Sequence, residues 1–229
     1  MGFPRPTGET AGGTSVHRNR GNAATKGRGR AALERPGARG LTDGMDAVTA
    51  AFEAVPRAGF LREGSRGEAG YDGPLPIGHG QTSSQPRTVE DMLRLLDVRP
   101  GQRVLDVGAG SGWTTALLGR LVGEHGLVVG VELEPDLASW GETNVRRTPY
   151  HWASVRTADS DLLGAPGQAP YDRILVSAGA RELPAALDDQ RVDEGRMVVP
   201  VDGTMTVAVR SGAEVLTSGH GSYRFVPLR

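Results

Sequence analysis

The sequence predicts an α/β fold: a Rossmann-like, doubly wound and mostly parallel sheet with helices on both faces and an antiparallel C-terminal edge. Three observations predict it. From residue 45 onward, short β-branched runs alternate with segments of helical period. The glycine-rich string VLDVGAGSGW, residues 104–113, sits at a strand-to-helix junction. The last three apolar runs follow one another with no helix between them, which calls for antiparallel pairing.

The elements follow in order. Residues 45–55 (MDAVTAAFEAV) have helical spacing and stop at Pro56, and 57–76, rich in Gly and Pro, read as loop. Pro86 suits a first helical turn and opens TVEDMLRLLDV, where Val89, Met92, Leu93, Leu95 and Leu96 make one apolar face. Residues 103–107 are a short β-branched run, followed by the glycine turn and a helix through Leu117, Leu118 and Leu121. A strand over 127–131, a helix from Pro135 to about Asn144, and strands over 153–156 and 173–176 come next. The closing strands are expected at 196–201, 204–210 and 213–217.

With 229 residues, 38% apolar, 23% charged and a net charge of −1, the chain can bury one ordinary core. It has no cysteine, which excludes disulfides, thiolate metal sites and thiol nucleophiles. No apolar run approaches the ~18 residues of a membrane helix, so a cytoplasmic enzyme is expected. The charge is uneven: residues 1–40 carry a balance of +6, and the remainder −7. Those forty residues offer only Phe3, Val16 and Leu33 as sizeable apolar side chains beyond Met1, too few to offset the entropy of ordering them. Residues 1–44 are therefore expected to be a disordered basic tail. No aromatic residues are interleaved with its arginines, so a solvated extension is expected there and no nucleic-acid arm. Met45 opens the patterned region and fits a natural start of the 45–229 domain.

The glycine turn decides the ligand class. A dinucleotide turn, G-x-G-x-x-G, needs glycine at 113, where Trp113 stands, and no G-K-[ST] follows to make a Walker loop. Gly108, Ala109, Gly110 and Gly112 form G-A-G-x-G instead, led by Asp106 at the strand end. An acidic lead suits a cationic nucleoside, S-adenosylmethionine, better than a pyrophosphate. Glu132 ends the next strand, where a carboxylate can accept from both ribose hydroxyls; Asp159 follows the third strand, where it could accept from the adenine amine. The competing readings are a helix cap for Glu132 and an Asx-turn for Asp159.

With S-adenosylmethionine as the expected ligand, a methyl is the expected transferred group, and the residues narrow its acceptor. After the fourth parallel strand, Ser177, Ala178, Gly179 and Ala180 supply neither the acid or amide and prolines of base amine methylation nor the carboxylates of metal-assisted catechol methylation. Cytosine methylation needs a thiolate. A carboxylate is already an anion at neutral pH and needs no base, so His79, in its glycine-rich loop, is not required as one.

The strings AFEAVPRAGF (51–60), PLPIGHGQTSSQP (74–86), VLDVGAGSGW, PYDRILVSAGA (170–180), GRMVVPV (195–201) and YRFVPL (223–228) together resemble the protein-L-isoaspartate O-methyltransferase family, in the right order over about 45–229. The resemblance implies methyl transfer to the side-branch carboxylate of isoaspartyl residues in damaged proteins or peptides. It implies Ser84 as the active-site hydroxyl with Thr82 nearby, and Asp106, Gly108, Gly110, Glu132 and Asp159 around the cofactor. The chain departs from the family with Ala158, Asp159 and Ser160 in place of G-D-G. A second departure is VDEGR, at 192–196, in place of K-P-G-G-R. Such drift leaves open a carboxyl methyltransferase tailoring another peptide or small-molecule carboxylate. A monomer without metal is expected.

Truncation tests the tail. A chain starting at Met45 is expected to keep the melting temperature and cofactor affinity of the full chain. Loss of either would show that residues 1–44 pack on the domain.

Overall fold

In the computed structural model, which describes residues 46–229, the first element is helix α1 (Ala47–Ala54). The Asp46 side chain caps it by accepting from the Thr49 amide at 3.2 Å, and Pro56 ends it. The basic tail and the start at Met45 lie outside the described residues. Two 3-10 turns, Arg57–Phe60 and Glu63–Glu68, follow, and then a hairpin of β1 (Leu75–Gly78) and β2 (Gln81–Ser83). This hairpin forms a small sheet of its own.

Helix α2 (Pro86–Leu96) buries Val89, Met92, Leu93 and Leu96, the apolar face read from the sequence, and ends at Asp97 in a left-handed conformation. Strand β3 (Arg103–Val107), helix α3 (Trp113–Val122), strand β4 (Leu127–Glu132), helix α4 (Pro135–Arg146) and strand β5 (Ala153–Thr157) form the first winding. Strand β6 (Tyr171–Val176), the short α5 (Ala185–Asp188) and strands β7 (Arg191–Val201), β8 (Thr204–Ser211) and β9 (Glu214–Ser222) complete the chain.

The seven-stranded sheet runs β5-β4-β3-β6-β7-β8-β9. β3 to β7 pair parallel, and β8 and β9 add the antiparallel edge expected from the missing helices. The winding reverses between β3 and β6, which leaves a crevice at the carboxyl ends of those strands.

Alternation along the strands splits the core in two. Val104, Val128, Leu175 and Val198 face α1 to α4, whereas Leu105, Val129, Ile174 and Met197 face the other side. The helices are unequally shared: the second face is closed by α5, through Leu187, and by the segment carrying Leu163, Ala165 and Ala169. That segment is too rich in Gly and Pro to hold a long helix. β7 begins at Arg191 and not at 196, because an irregular pairing with β6 lets the charged VDEG stretch pass with Glu194 in a left-handed conformation. Among the described residues no helix is long and apolar enough to cross a membrane.

Candidate active site

The glycine turn between β3 and α3 hangs on the end of β4. The amides of Gly108 and Ala109 donate to the Val131 carbonyl at 2.9 and 3.0 Å, and the amide of Gly110 donates to Glu132 Oε2 at 2.9 Å. Three successive N–H groups are thus turned into the protein. A pyrophosphate cradle requires such groups to face the ligand, so this turn is built for something else. Gly112 has a positive φ of 82°, and a Cβ there would lie 2.7 Å from the Gly141 carbonyl of α4. Only glycine lets α3 start this close to α4.

A cavity of about 430 Å³ opens at the crevice between β3, β4 and β6. Gly108, Gly110, Glu132, Asp159 and Thr82, all singled out from the sequence, line it. Glu132 is 7% exposed, and its other oxygen accepts from the Glu134 amide at 3.1 Å. Glu132 thus lines the cavity without capping α4, whose N-cap is Glu134 with no side-chain cap bond, and each Glu132 oxygen keeps a second acceptor site. Asp159 likewise closes an Asx-turn onto the Asp161 amide at 2.9 Å while lining the cavity.

Asp106, Ala109, Gly112 and Ser84 do not line this cavity. Ser84 and Ala109 line a smaller recess of about 40 Å³ beside it, which shares Ile77, Thr82, Gly108 and Ser177 with the larger space. Asp106 stands behind the turn, fully buried, and its Oδ2 accepts from Thr114 and Thr115 at 2.8 and 2.7 Å. Its Oδ1 has no partner. Burial pushes this carboxyl up to about 6; the two threonine hydroxyls oppose the shift and nearby Glu132 adds to it. The structure thus places Asp106 as the anchor of the first turn of α3, a step removed from the cavity wall.

Other site residues were not singled out from the sequence. Ser177 extends β6 just as Gly108 extends β3, and its amide donates to Val107 at 2.8 Å. Its position after an apolar strand was the available signal. Val226, Pro227, Leu228 and Arg229 also line the cavity, held where the Gly179 amide donates to Val226 at 2.7 Å and the Leu228 amide to Gly179 at 2.8 Å. That pairing is long-range and leaves no local pattern. His79 sits at the hairpin tip with a positive φ of 53°, 3.8 Å from Glu134 and 3.7 Å from Asp136, and lines neither space.

A family model described as protein-L-isoaspartate(D-aspartate) O-methyltransferase matches residues 38–229. The chain belongs to that family. A protein-L-isoaspartate O-methyltransferase of Methanopyrus kandleri is 44% identical over 187 residues, covering 79% of this chain and 82% of the relative. One of Methanocella arvoryzae is 40% identical, covering 77% and 95%. A solved protein-L-isoaspartate O-methyltransferase superposes with a TM-score of 0.72 at 28% identity, covering 80% of this chain and 61% of that one. A Plasmodium falciparum member of the family, solved in complex with S-adenosyl-L-homocysteine, gives a TM-score of 0.68 at 25% identity, covering 82% and 92%. The isoaspartate methyltransferase family thus spans the whole sheet, the glycine turn and the hairpin of this chain.

The Asp106 shift has a checkable sign. A carboxyl raised in the folded chain contributes stability that is full below about pH 4 and lost as pH rises through about 6. Asp106→Asn keeps an acceptor for the threonine hydroxyls and does not ionise. Its stability relative to wild type is expected to improve by on the order of 2 kcal/mol between pH 4 and pH 7, read from thermal melts. A difference independent of pH would show that Asp106 ionises as freely folded as unfolded.

Proposed function

We propose that residues 45–229 are an S-adenosylmethionine-dependent carboxyl O-methyltransferase domain that esterifies the side-branch carboxylate of isoaspartyl residues in proteins or peptides. The observation that carries this reading is the pair of adjoining spaces: a cavity with carboxylates at its strand ends and, sharing its wall at Gly108 and Ser177, a recess lined by the hydroxyl residues Thr82 and Ser84. Family membership supports the substrate class over a tailoring role on another carboxylate.

The residues fit the methyl donor. Its ribose and adenine carry hydroxyl and amine donors, which match the acceptor-only carboxylates of Glu132 and Asp159. The inward-turned amides of residues 108–110 leave the glycine turn without the donors an anionic ligand would use. Bound there, the donor supplies an electrophilic methyl group on a sulfonium centre.

The protein's own part is positional. Ser84 donates its hydroxyl hydrogen to one oxygen of the acceptor carboxylate, with Thr82 as a second donor, and holds the other oxygen in line with the methyl. Ile77 and Ser83, both buried, close the recess against water that would solvate the anion. No base takes part, because the acceptor is ionised at neutral pH. His79 keeps to the hairpin tip beside two carboxylates. We further propose that the domain works as a monomer in the cytoplasm.

Two variants separate binding from chemistry. Glu132→Ala is expected to weaken cofactor binding about tenfold or more in calorimetry with the fold intact, since charge-assisted hydrogen bonds contribute roughly 1.5 to 3 kcal/mol. Unchanged affinity would leave Glu132 as a brace for the glycine turn alone. Ser84→Ala is expected to keep cofactor affinity within about twofold while methyl transfer to isoaspartyl peptide falls by one to about three orders of magnitude. Turnover at the wild-type rate would reduce Ser84 to a turn residue.

A further inference from the structure

Arg57 stands in the first 3-10 turn and is 5% exposed, yet its partners are carbonyls and a hydroxyl, with no carboxylate among them. Its Nη1 donates to the Tyr71 carbonyl at 2.9 Å, and Nη2 donates to the carbonyls of Gly73 at 2.9 Å and Ser83 at 3.0 Å. Nε donates to Ser83 Oγ at 3.2 Å. The guanidinium also lies 5.6 Å from the centre of the Trp113 ring, at the start of α3. Burial pulls its pKa down, and Asp72 compensates only at longer range. A buried cation without a direct counter-ion is costly. Apolar packing could brace this loop at less cost, so the geometry that Arg57 imposes is what sets it apart.

That geometry concerns a strand that needs a holdfast. β2 has three residues and pairs only with β1, in a sheet too small to be stable alone. Side chains alternate along β2, so Ser83, which meets Arg57, and its exposed neighbour Thr82 point apart, while Ser84 follows directly after the strand and residues 82–84 all border the recess. Arg57 grips both the hydroxyl and the carbonyl of Ser83 and lines neither the cavity nor the recess.

We propose that Arg57 is a positioning residue for methyl transfer: through Ser83 it sets the orientation in which Thr82 and Ser84 meet the acceptor carboxylate, touching neither substrate nor cofactor. The inference rests on the reading of residues 82–84 as the acceptor site. A planar guanidinium reaches acceptors on three residues at once, and a lysine ammonium at the same place does not.

The test compares Arg57→Lys, Ser83→Ala and Ser84→Ala in the full chain. Calorimetry gives cofactor affinity and the number of competent sites; methyl transfer to isoaspartyl peptide is then expressed per competent site, with KM and kcat resolved. Arg57→Lys is expected to lower kcat per site about tenfold to a hundredfold with cofactor affinity within about threefold, and Ser83→Ala to give the same split at smaller size. A merely structural arginine would reduce the number of competent sites and leave the rate per site alone, and that result overturns the proposal. Loss of rate and cofactor affinity together also overturns it, because Arg57 would then act on the glycine turn through Trp113. Should Arg57→Lys fail to fold, Ser83→Ala decides by the same split. If Ser84→Ala runs at the wild-type rate, the acceptor-site reading itself fails and the Arg57 proposal with it. If Ser84→Ala is slow and Arg57→Lys is not, only the proposal falls.

Discussion

The end of β4 captures three consecutive amides of the glycine turn, two on the Val131 carbonyl and one on the Glu132 carboxylate. This short set of hydrogen bonds determines where the rest of the site goes. It folds the chain back after β3 so that Gly108 comes against Ser177 at the end of β6, and it points α3 away from the crevice. With the amides consumed, the lining of the crevice is left to carboxylates, small residues, the hairpin, and the segments 158–164 and 226–229. A glycine turn is shared by sites for anions and for cations; the direction of its N–H groups separates the two.

Capturing the turn this way puts two carboxylates close together. Asp106 is fully buried behind the turn, and Glu132 in front of it is nearly so. Burial raises the Asp106 carboxyl and nearby Glu132 adds to the rise, while Glu132 keeps two backbone amides and Asp106 two threonine hydroxyls. Thr114 and Thr115 open α3 where no side-chain N-cap is present, so the pair of hydroxyls joins the helix start to the strand end. The unpartnered Oδ1 of Asp106 is the residual cost of that arrangement.

Legibility from sequence followed locality. Strands β3 to β6 and helices α2 to α4 carry their own periodicity and punctuation, such as Pro86 and Pro135 at helix starts, and were readable within a few residues. The β1-β2 hairpin was not, because four residues interrupted by Pro76 and Gly78 and a three-residue polar QTS lack the alternating run that marks a strand. The start of β7 was hidden by the charged stretch 192–194, which an irregular pairing tolerates. In the site, Gly108, Gly110, Glu132 and Asp159 were visible because each follows a readable strand. The inward turn of Asp106, and the contribution of residues 226–229, depend on partners distant in sequence and leave no trace in spacing. Trp113 shows the same limit: its sequence position only excluded a dinucleotide turn. In the fold its indole donates to the Val55 carbonyl at 3.0 Å and meets Phe52 edge-on at 5.5 Å.

That last contact explains how two separately built halves make one site. In the proposed function the sheet and glycine turn face the cofactor, while α1, the 3-10 turns and the hairpin, which precede the sheet, face the acceptor. Apolar side chains of the second half, Val48, Ala51, Val55 and Phe60, join the core beneath the sheet, and a few directional contacts add to that packing. Trp113 takes the end of α1, and Arg62 stacks 3.6 Å from the centre of the Trp140 ring on α4 while donating to the Ile77 carbonyl at 3.1 Å. Arg57, which ties the loop at 71–73 to Ser83 within the pre-sheet half, also lies 5.6 Å from the centre of the Trp113 ring. Each tie uses an aromatic ring, a guanidinium or both. Such ties specify direction as well as distance. Direction is what an in-line displacement demands, because an acceptor oxygen displaced by about 1 Å from its line of approach loses much of the rate. The pre-sheet half therefore combines apolar packing with rigid, directional anchors: buried Trp113 and Arg57, and the more exposed Arg62.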